Sequence, residues 1–191
     1  TNPTTEQGWQ HALTLPRELH VRNGRLIQQP IKELLDLRAE HAHFTTKEDL
    51  NQADSLPLEN SFGFPVFETE LTFSDCKQME LALRDGVTLS FSNEVLTLDL
   101  KKGGFGRTSR SVELTSLSQL RIYSDTTSLE IFVNGGEEVF TTRLYSQISD
   151  PSNDHDLSTN SNARPLTLTG DCSATVDVWK LRAFEVSRTQ N

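Results

Sequence analysis

Apolar residues recur at every second position through most of the chain. Leu71-Thr72-Phe73, Leu81-Ala82-Leu83, Val87-Thr88-Leu89-Ser90-Phe91, Leu96-Thr97-Leu98-Asp99-Leu100 and Leu129-Glu130-Ile131-Phe132-Val133 share this pattern. A period of two puts alternate side chains on opposite faces, as in a half-buried strand. Turn residues separate the runs at short intervals: Asp85-Gly86, Ser92-Asn93, Lys102-Gly103-Gly104 and Asn134-Gly135-Gly136. Leu166-Thr167-Leu168 and Val176-Asp177-Val178, leading into Trp179, predict later strands. Nothing of helical period separates the strands, which excludes a parallel α/β sheet. The pattern predicts an antiparallel two-sheet β-sandwich.

The first sixty residues read differently. Leu19-His20-Val21-Arg22 and Arg25-Leu26-Ile27-Gln28 flank Asn23-Gly24, a pair suited to the two positive-φ positions of a tight hairpin turn. Pro30 can open a helix, where its missing N–H costs nothing. Ile31, Leu34, Leu35 and Ala42 then fall at helical spacing, predicting one amphipathic linker helix over Ile31–His43. Thr45–Asn60 is polar, contains Pro57 and reads as a linker loop. Ser149–Ala163, rich in Ser, Asn and Asp, reads as an exposed loop. The expected organisation is thus an extended segment over 1–30, a helix and loop over 31–60, and the sandwich over 61–191.

Composition narrows the function. The 191 residues carry a formal net charge of −9 and a mean hydropathy of −0.47. A nucleic-acid partner is not expected, because phosphates would be repelled. No apolar run is long enough to span a membrane, and the start TNPTTEQGWQ has no signal-like core. Two cysteines, Cys76 and Cys172, do not make a disulfide framework. The one Asn-x-Thr match, Asn2-Pro3-Thr4, is blocked by its proline. These features point to a cytoplasmic setting.

Candidate chemistry is sparse. His41 and His43, spaced i, i+2, would point apart on the expected helix, so no metal ligand is assigned. Gly103-Gly104-Phe105-Gly106-Arg107-Thr108 lacks phosphate-loop spacing and reads as a strand connection, so no cofactor is expected. Glu137 and Glu138 would face opposite sides of a strand, and Asp154 and Asp156 lie in a polar loop. Neither cysteine carries a reactive-thiol signature. Trp9 and Trp179 suit either core packing or sugar stacking.

Gly8-Trp9-Gln10-His11-Ala12-Leu13-Thr14-Leu15-Pro16-Arg17-Glu18-Leu19, taken with the runs at 24–38, 96–99 and 128–143, resembles the β-fructosidases of glycoside hydrolase family 32, the invertases and sucrose-6-phosphate hydrolases. Residues 8–19, from Gly8-Trp9 to Glu18-Leu19, match the family's GWxxALTLPREL segment. Gly24-Arg25-Leu26-Ile27-Gln28-Gln29-Pro30, with Glu33-Leu34 and Leu37-Arg38, is similar to its GxLxQxPxxELxxLR. Leu96-Thr97-Leu98-Asp99 resembles its LTLDR, with Leu100 for the arginine, and residues 128–143 resemble SSLEVFVNDGEEVFTSR. Gly135 stands where the family often has Asp, and Ser146 where it often has Pro.

The resemblance implies a parent enzyme with an N-terminal five-bladed catalytic propeller and a C-terminal sandwich. It places residues 1–30 at the end of the propeller. A retaining glycosidase needs two carboxylates about 5–5.5 Å apart. The family's WMNDPNG-like, Arg-Asp-Pro and Glu-Cys motifs are not matched in this sequence. The sole Asp-Pro, Asp150-Pro151, follows Ser149, while Cys76 and Cys172 each follow Asp. No catalytic residue is carried over.

The expectation is therefore a non-catalytic sandwich whose parent hydrolyses sucrose 6-phosphate or sucrose. Its partners would be the propeller of the same parent chain and, as a candidate, a second copy in a homodimer. A carbohydrate-binding module for fructan or sucrose is the alternative, and an adaptor unrelated to sugars is a third reading.

Overall fold

The computed structural model describes residues 4–5, 8–46, 50–55, 66–145 and 166–183, and all structural statements refer to these. The Ser149–Ala163 loop, with Asp150-Pro151, Asp154 and Asp156, lies outside them.

Twelve strands form: β1 (Arg17–Arg22), β2 (Arg25–Pro30), β3 (Arg38–Thr45), β4 (Leu50–Ser55), β5 (Phe67–Ala82), β6 (Thr88–Ser92), β7 (Val95–Asp99), β8 (Ser109–Glu113), β9 (Leu117–Asp125), β10 (Ser128–Val133), β11 (Glu138–Arg143) and β12 (Thr167–Leu181). β1 and β2 make the expected hairpin. Asn23 and Gly24 both take positive φ, 53° and 76°, the primed turn whose twist suits a two-residue connection.

The other ten strands form one continuous antiparallel ladder folded into two layers. β5 and β12 run through both layers, antiparallel to each other. In the first layer β11, β10 and β9 lead to the first half of β5, and the second half of β12 leads on to β3. In the second layer β8, β7 and β6 lead to the second half of β5, and the first half of β12 leads on to β4. Long strands that bend at bulges are a standard way to turn the corner of a sandwich.

The core lies between the layers. Leu71, Leu81, Leu89, Leu98, Leu120, Ile131, Leu168 and Val176 are each completely buried there. Fully burying one such side chain contributes about 1.5–3 kcal/mol, so this alternating set is what specifies strand register.

The expected linker helix is corrected. Only a short 3-10 turn forms, at Lys32–Leu37, and the chain then becomes β3. Ile31 and Leu34 do face inward from this turn, onto a second apolar cluster with Tyr123 and Phe132. From Arg38 onward the chain has β12 as its partner, and cross-strand bonding overrides helical spacing. Part of the expected linker loop, Leu50–Ser55, is likewise strand, paired with β12.

Candidate functional site

Two rows of side chains cross the outer face of the first layer. Direct cross-strand opposition aligns Thr141, Glu130, Tyr123, Glu68, Trp179 and His41 in one row. The next row carries Val139, Phe132, Arg121, Glu70, Asp177 and His43. Opposed residues on neighbouring strands share a face, so the ladder gathers charges that lie far apart in sequence.

Glu68 is the centre of this face, with its side chain fully buried. Arg38 donates to it twice, Nε to Oε2 at 2.8 Å and Nη2 to Oε1 at 2.6 Å, and Arg121 Nε donates to Oε1 at 2.7 Å. Burial alone would raise the Glu68 pKa. Hydrogen bonds and charge from Arg38 and Arg121 outweigh that and hold it below the usual carboxylate range. Burial, followed by the Glu68 charge, pushes the Tyr123 phenol up. Gln119 donates to Glu70 at 2.7 Å. A polar cavity of about 170 Å³ opens beside this network, lined by Gln29, Pro30, Glu70, Gln119, Arg121 and Phe132, with Gly135 at its edge.

The β1–β2 hairpin and its lead-in are clamped onto the same face. Arg17 reaches Glu130 at 2.6 Å and Gln28 at 2.9 Å, and the Leu15 N–H donates to Glu130 at 2.6 Å. At the rim, Arg22 pairs with Glu137 at 2.9 Å and Arg25 with Glu138 at 3.0 Å. Such solvent-exposed pairs contribute about 0–1 kcal/mol each. The shielded Arg17–Glu130 pair dominates, because removing one partner of a buried pair costs about 3–5 kcal/mol. Backbone contact completes the clamp: the Gln28 N–H donates to the Gly136 carbonyl at 3.0 Å. A Cβ on Gly136 would stand 2.0 Å from the Gln28 oxygen, and its φ is +94°, so only glycine lets the hairpin approach this closely.

Glu137 and Glu138 are therefore not simply solvated; both hold hairpin arginines. His41 and His43 also depart from expectation. On a strand, i, i+2 residues share a face, and both rings donate to Asp177 Oδ1 at 2.8 Å. Neither tryptophan belongs to the inter-layer core. Trp179 lies on the outer face, with the Arg38 guanidinium 3.5 Å from its ring centroid and His41 stacked at 4.9 Å. Trp9 sits under Arg143 at 4.7 Å. The glycine run at 103–106 connects β7 to β8 as expected. Sequence reading missed the Arg38–Glu68–Arg121 network. Its signal was Glu68-Thr69-Glu70, two carboxylates at strand spacing, but their arginine partners come from β3 and β9.

Part of the hairpin stays bare. Leu13 is 99% exposed, Val21 77% and Leu19 62%. Val21 opposes Leu26, also exposed, so an apolar row runs along the hairpin.

The class of protein defined by this structure is a two-layer antiparallel β-sandwich that carries a clamped N-terminal hairpin, and the fold alone names no function. The family model described as "Glycosyl hydrolases family 32 C terminal" matches residues 31–180, and the chain belongs to that family. A probable sucrose-6-phosphate hydrolase of Vibrio cholerae is 34% identical over 147 residues, which is 75% of this chain and 26% of the relative. The sucrose-6-phosphate hydrolase of Bacillus subtilis is 29% identical over 188 residues, 95% of this chain and 36% of the relative. The chain thus spans about a quarter to a third of these relatives. The fold matches the structure of sucrose-6-phosphate hydrolase from Lactobacillus gasseri with a TM-score of 0.69 at 19% identity, covering 95% of this chain and 36% of that one. Exo-inulinase from Aspergillus awamori gives 0.61 at 19% identity, covering 89% and 36%. Among the described residues no helix is long and apolar enough to cross a membrane.

Proposed function

We propose that this chain is the non-catalytic C-terminal sandwich of a retaining β-fructofuranosidase acting on sucrose 6-phosphate or sucrose. Its role is to dock against the catalytic propeller of the same parent protein and keep it folded. One observation carries this reading. The hairpin is fastened to the sandwich through Arg17, Gln28, Arg22 and Arg25 and still leaves Leu13, Leu19, Val21 and Leu26 exposed to solvent. The outer edge of β1, beside these apolar side chains, invites a further strand or sheet. A propeller blade supplies one. The relatives' names support sucrose 6-phosphate as substrate, and the free Cys76 and Cys172 support a cytoplasmic parent.

The test is release of reducing sugar from sucrose and sucrose 6-phosphate. The 191-residue chain releases none, and the longer parent releases it. Replacing Leu19 and Val21 by Asp in the parent lowers its thermal midpoint while the isolated chain is unaffected. An active isolated chain, or a parent indifferent to both substitutions, removes the proposal. Size-exclusion chromatography separates this docking from self-association, in which the isolated chain elutes as a dimer.

Sugar capture is the second reading, and one observation favours it. Phe105 is 59% exposed beside Tyr145, and Trp9 is exposed with Arg143 over its ring. Aromatic faces of this kind suit a sugar ring. A titration with inulin or sucrose that leaves tryptophan fluorescence flat to high millimolar concentration excludes it.

A further inference from the structure

β5 and β12 change layers at the same place, and a cysteine of each strand sits at that crease. The β12 register against β5 breaks between Asp171, opposite Gln78, and Ser173, opposite Ser74. Cys172 alone therefore spans the three residues Asp75, Cys76 and Lys77, and Cys76 is the middle one. The bulge is marked by Asp75 at φ +49°, and the β5 register against β9 breaks over the same stretch, between Thr72 and Cys76. Alternation along β12 turns Cys172 inward with Ala174, Val176 and Val178, and Cys76 packs against the same core. Both thiols are free.

The two sulfurs are neighbours in a chemical sense as well. A hydrogen bond between them lowers the Cys172 pKa, against the effect of burial, and the same hydrogen bond, with burial, raises Cys76. The break in the ladder sets Cys172 against the three-residue bulge centred on Cys76, and a disulfide needs Cα atoms roughly 4.4–6.8 Å apart. Cys172 is buried, and Cys76 is half-buried, so the crease opens to small reagents on the Cys76 side.

We propose that Cys76 and Cys172 form an oxidation site that closes as an intrachain disulfide on reaction with a hydroperoxide such as hydrogen peroxide. The thiolate of one cysteine attacks one peroxide oxygen. The O–O bond breaks, and hydroxide leaves and takes up a proton as the first water. The sulfur of the other cysteine then attacks the resulting sulfenic acid. The S–O bond breaks, and the departing hydroxide takes that thiol's proton as the second water. Two thiols lose two electrons, and one peroxide gains them. The bond staples the two layers at their shared corner and encloses β6 to β11 in one covalent loop.

The experiment exposes the reduced chain to graded hydrogen peroxide, denatures it and labels remaining thiols with N-ethylmaleimide. Intact mass then counts labels. The expected result is a fall from two labels to none, with loss of two hydrogens and no added oxygen. The species stays monomeric, is reversed by dithiothreitol, and yields one tryptic species joining the Cys76 and Cys172 peptides. Its thermal midpoint rises, and the rise is absent in Cys172→Ala. Cys76→Ser provides a second control should Cys172→Ala fold poorly. Three outcomes overturn the proposal: two labels persisting at a dose that oxidises free glutathione in the same tube, oxygen added to Cys76 while Cys172 stays labelled, or disulfides between chains.

Discussion

Glu68→Gln isolates the electrostatics of the clamped face. The substitution keeps the shape of the side chain and removes its charge. In the folded protein Glu68 is fully buried and receives three hydrogen bonds, two from Arg38 and one from Arg121. A glutamine can still accept through one oxygen, but it turns an N–H2 group towards two guanidinium groups. Breaking a buried ion pair by neutralising one partner costs about 3–5 kcal/mol. For a chain of this size that is a fall in thermal midpoint on the order of 10 °C.

The pH dependence has a definite sign. A carboxylate held below its unfolded pKa contributes stability that is complete above the unfolded value, about 4.3 for glutamate. That stability is lost as pH falls through the lower, folded value. The wild-type chain therefore loses stability below about pH 4.3 in part through this group, and Glu68→Gln flattens that part of the profile. The assay is chemical denaturation followed by circular dichroism between neutral and acid pH. A cost under about 1 kcal/mol at neutral pH, the level of a surface pair, refutes the reasoning. So does an acid limb unchanged by the substitution.

Three further outcomes are expected. Gly136→Ala brings its Cβ against the Gln28 carbonyl and costs about 1–3 kcal/mol of backbone strain; trypsin should then cut at Arg17, Arg22 or Arg25 faster than in wild type. Glu130→Ala removes the carboxylate partner of Arg17 and frees the Leu15 N–H, so hydrogen exchange should quicken at Leu15 and in the hairpin while the inter-layer core stays protected. Burial would raise the Asp177 carboxyl, but hydrogen bonds from His43 and His41 and their charge hold it below its ordinary value. Its contribution is present above the unfolded Asp pKa and lost as pH falls through the folded one, and a carbon-detected NMR titration of Asp177 should show the low value rise when both histidines are replaced by Ala.

Legibility in the sequence followed the number of partners a strand has. β6, β7 and β10 are flanked on both sides and alternate cleanly, so the hydrophobic period revealed them. β3 has β12 as its partner, and its buried side contributes only Ala42 and Phe44 to the core. Ala42 also falls at helical spacing with Ile31, Leu34 and Leu35, and the alternation His41-Ala42-His43-Phe44 was the stronger clue. β4, Leu-Asn-Gln-Ala-Asp-Ser, has no hydrophobic period at all and is defined by hydrogen bonding to β12. The middle of β5, Ser74 to Gln78, lacks a hydrophobic period and so separates the runs at Leu71–Phe73 and Leu81–Leu83, yet it stays within one strand. The clamped face was hidden for a related reason. Arg17, Arg38, Glu68, Arg121 and Glu130 become neighbours only through ladder register, which no local pattern encodes.

The order of the strands has a consequence for how the molecule is made. β12 is the last strand of the fold, yet it stands between the earliest strands of the sandwich and β5 in both layers. A growing chain therefore displays one bare edge of β5 until residues 167–181 have emerged, roughly a hundred residues later. Contacts of such long sequence separation form slowly, and an uncovered edge is open to other chains in the interval. Closure of the sandwich is thus a late, single event, and a chain stopped short of Thr167 keeps its apolar layers without the strand that joins them.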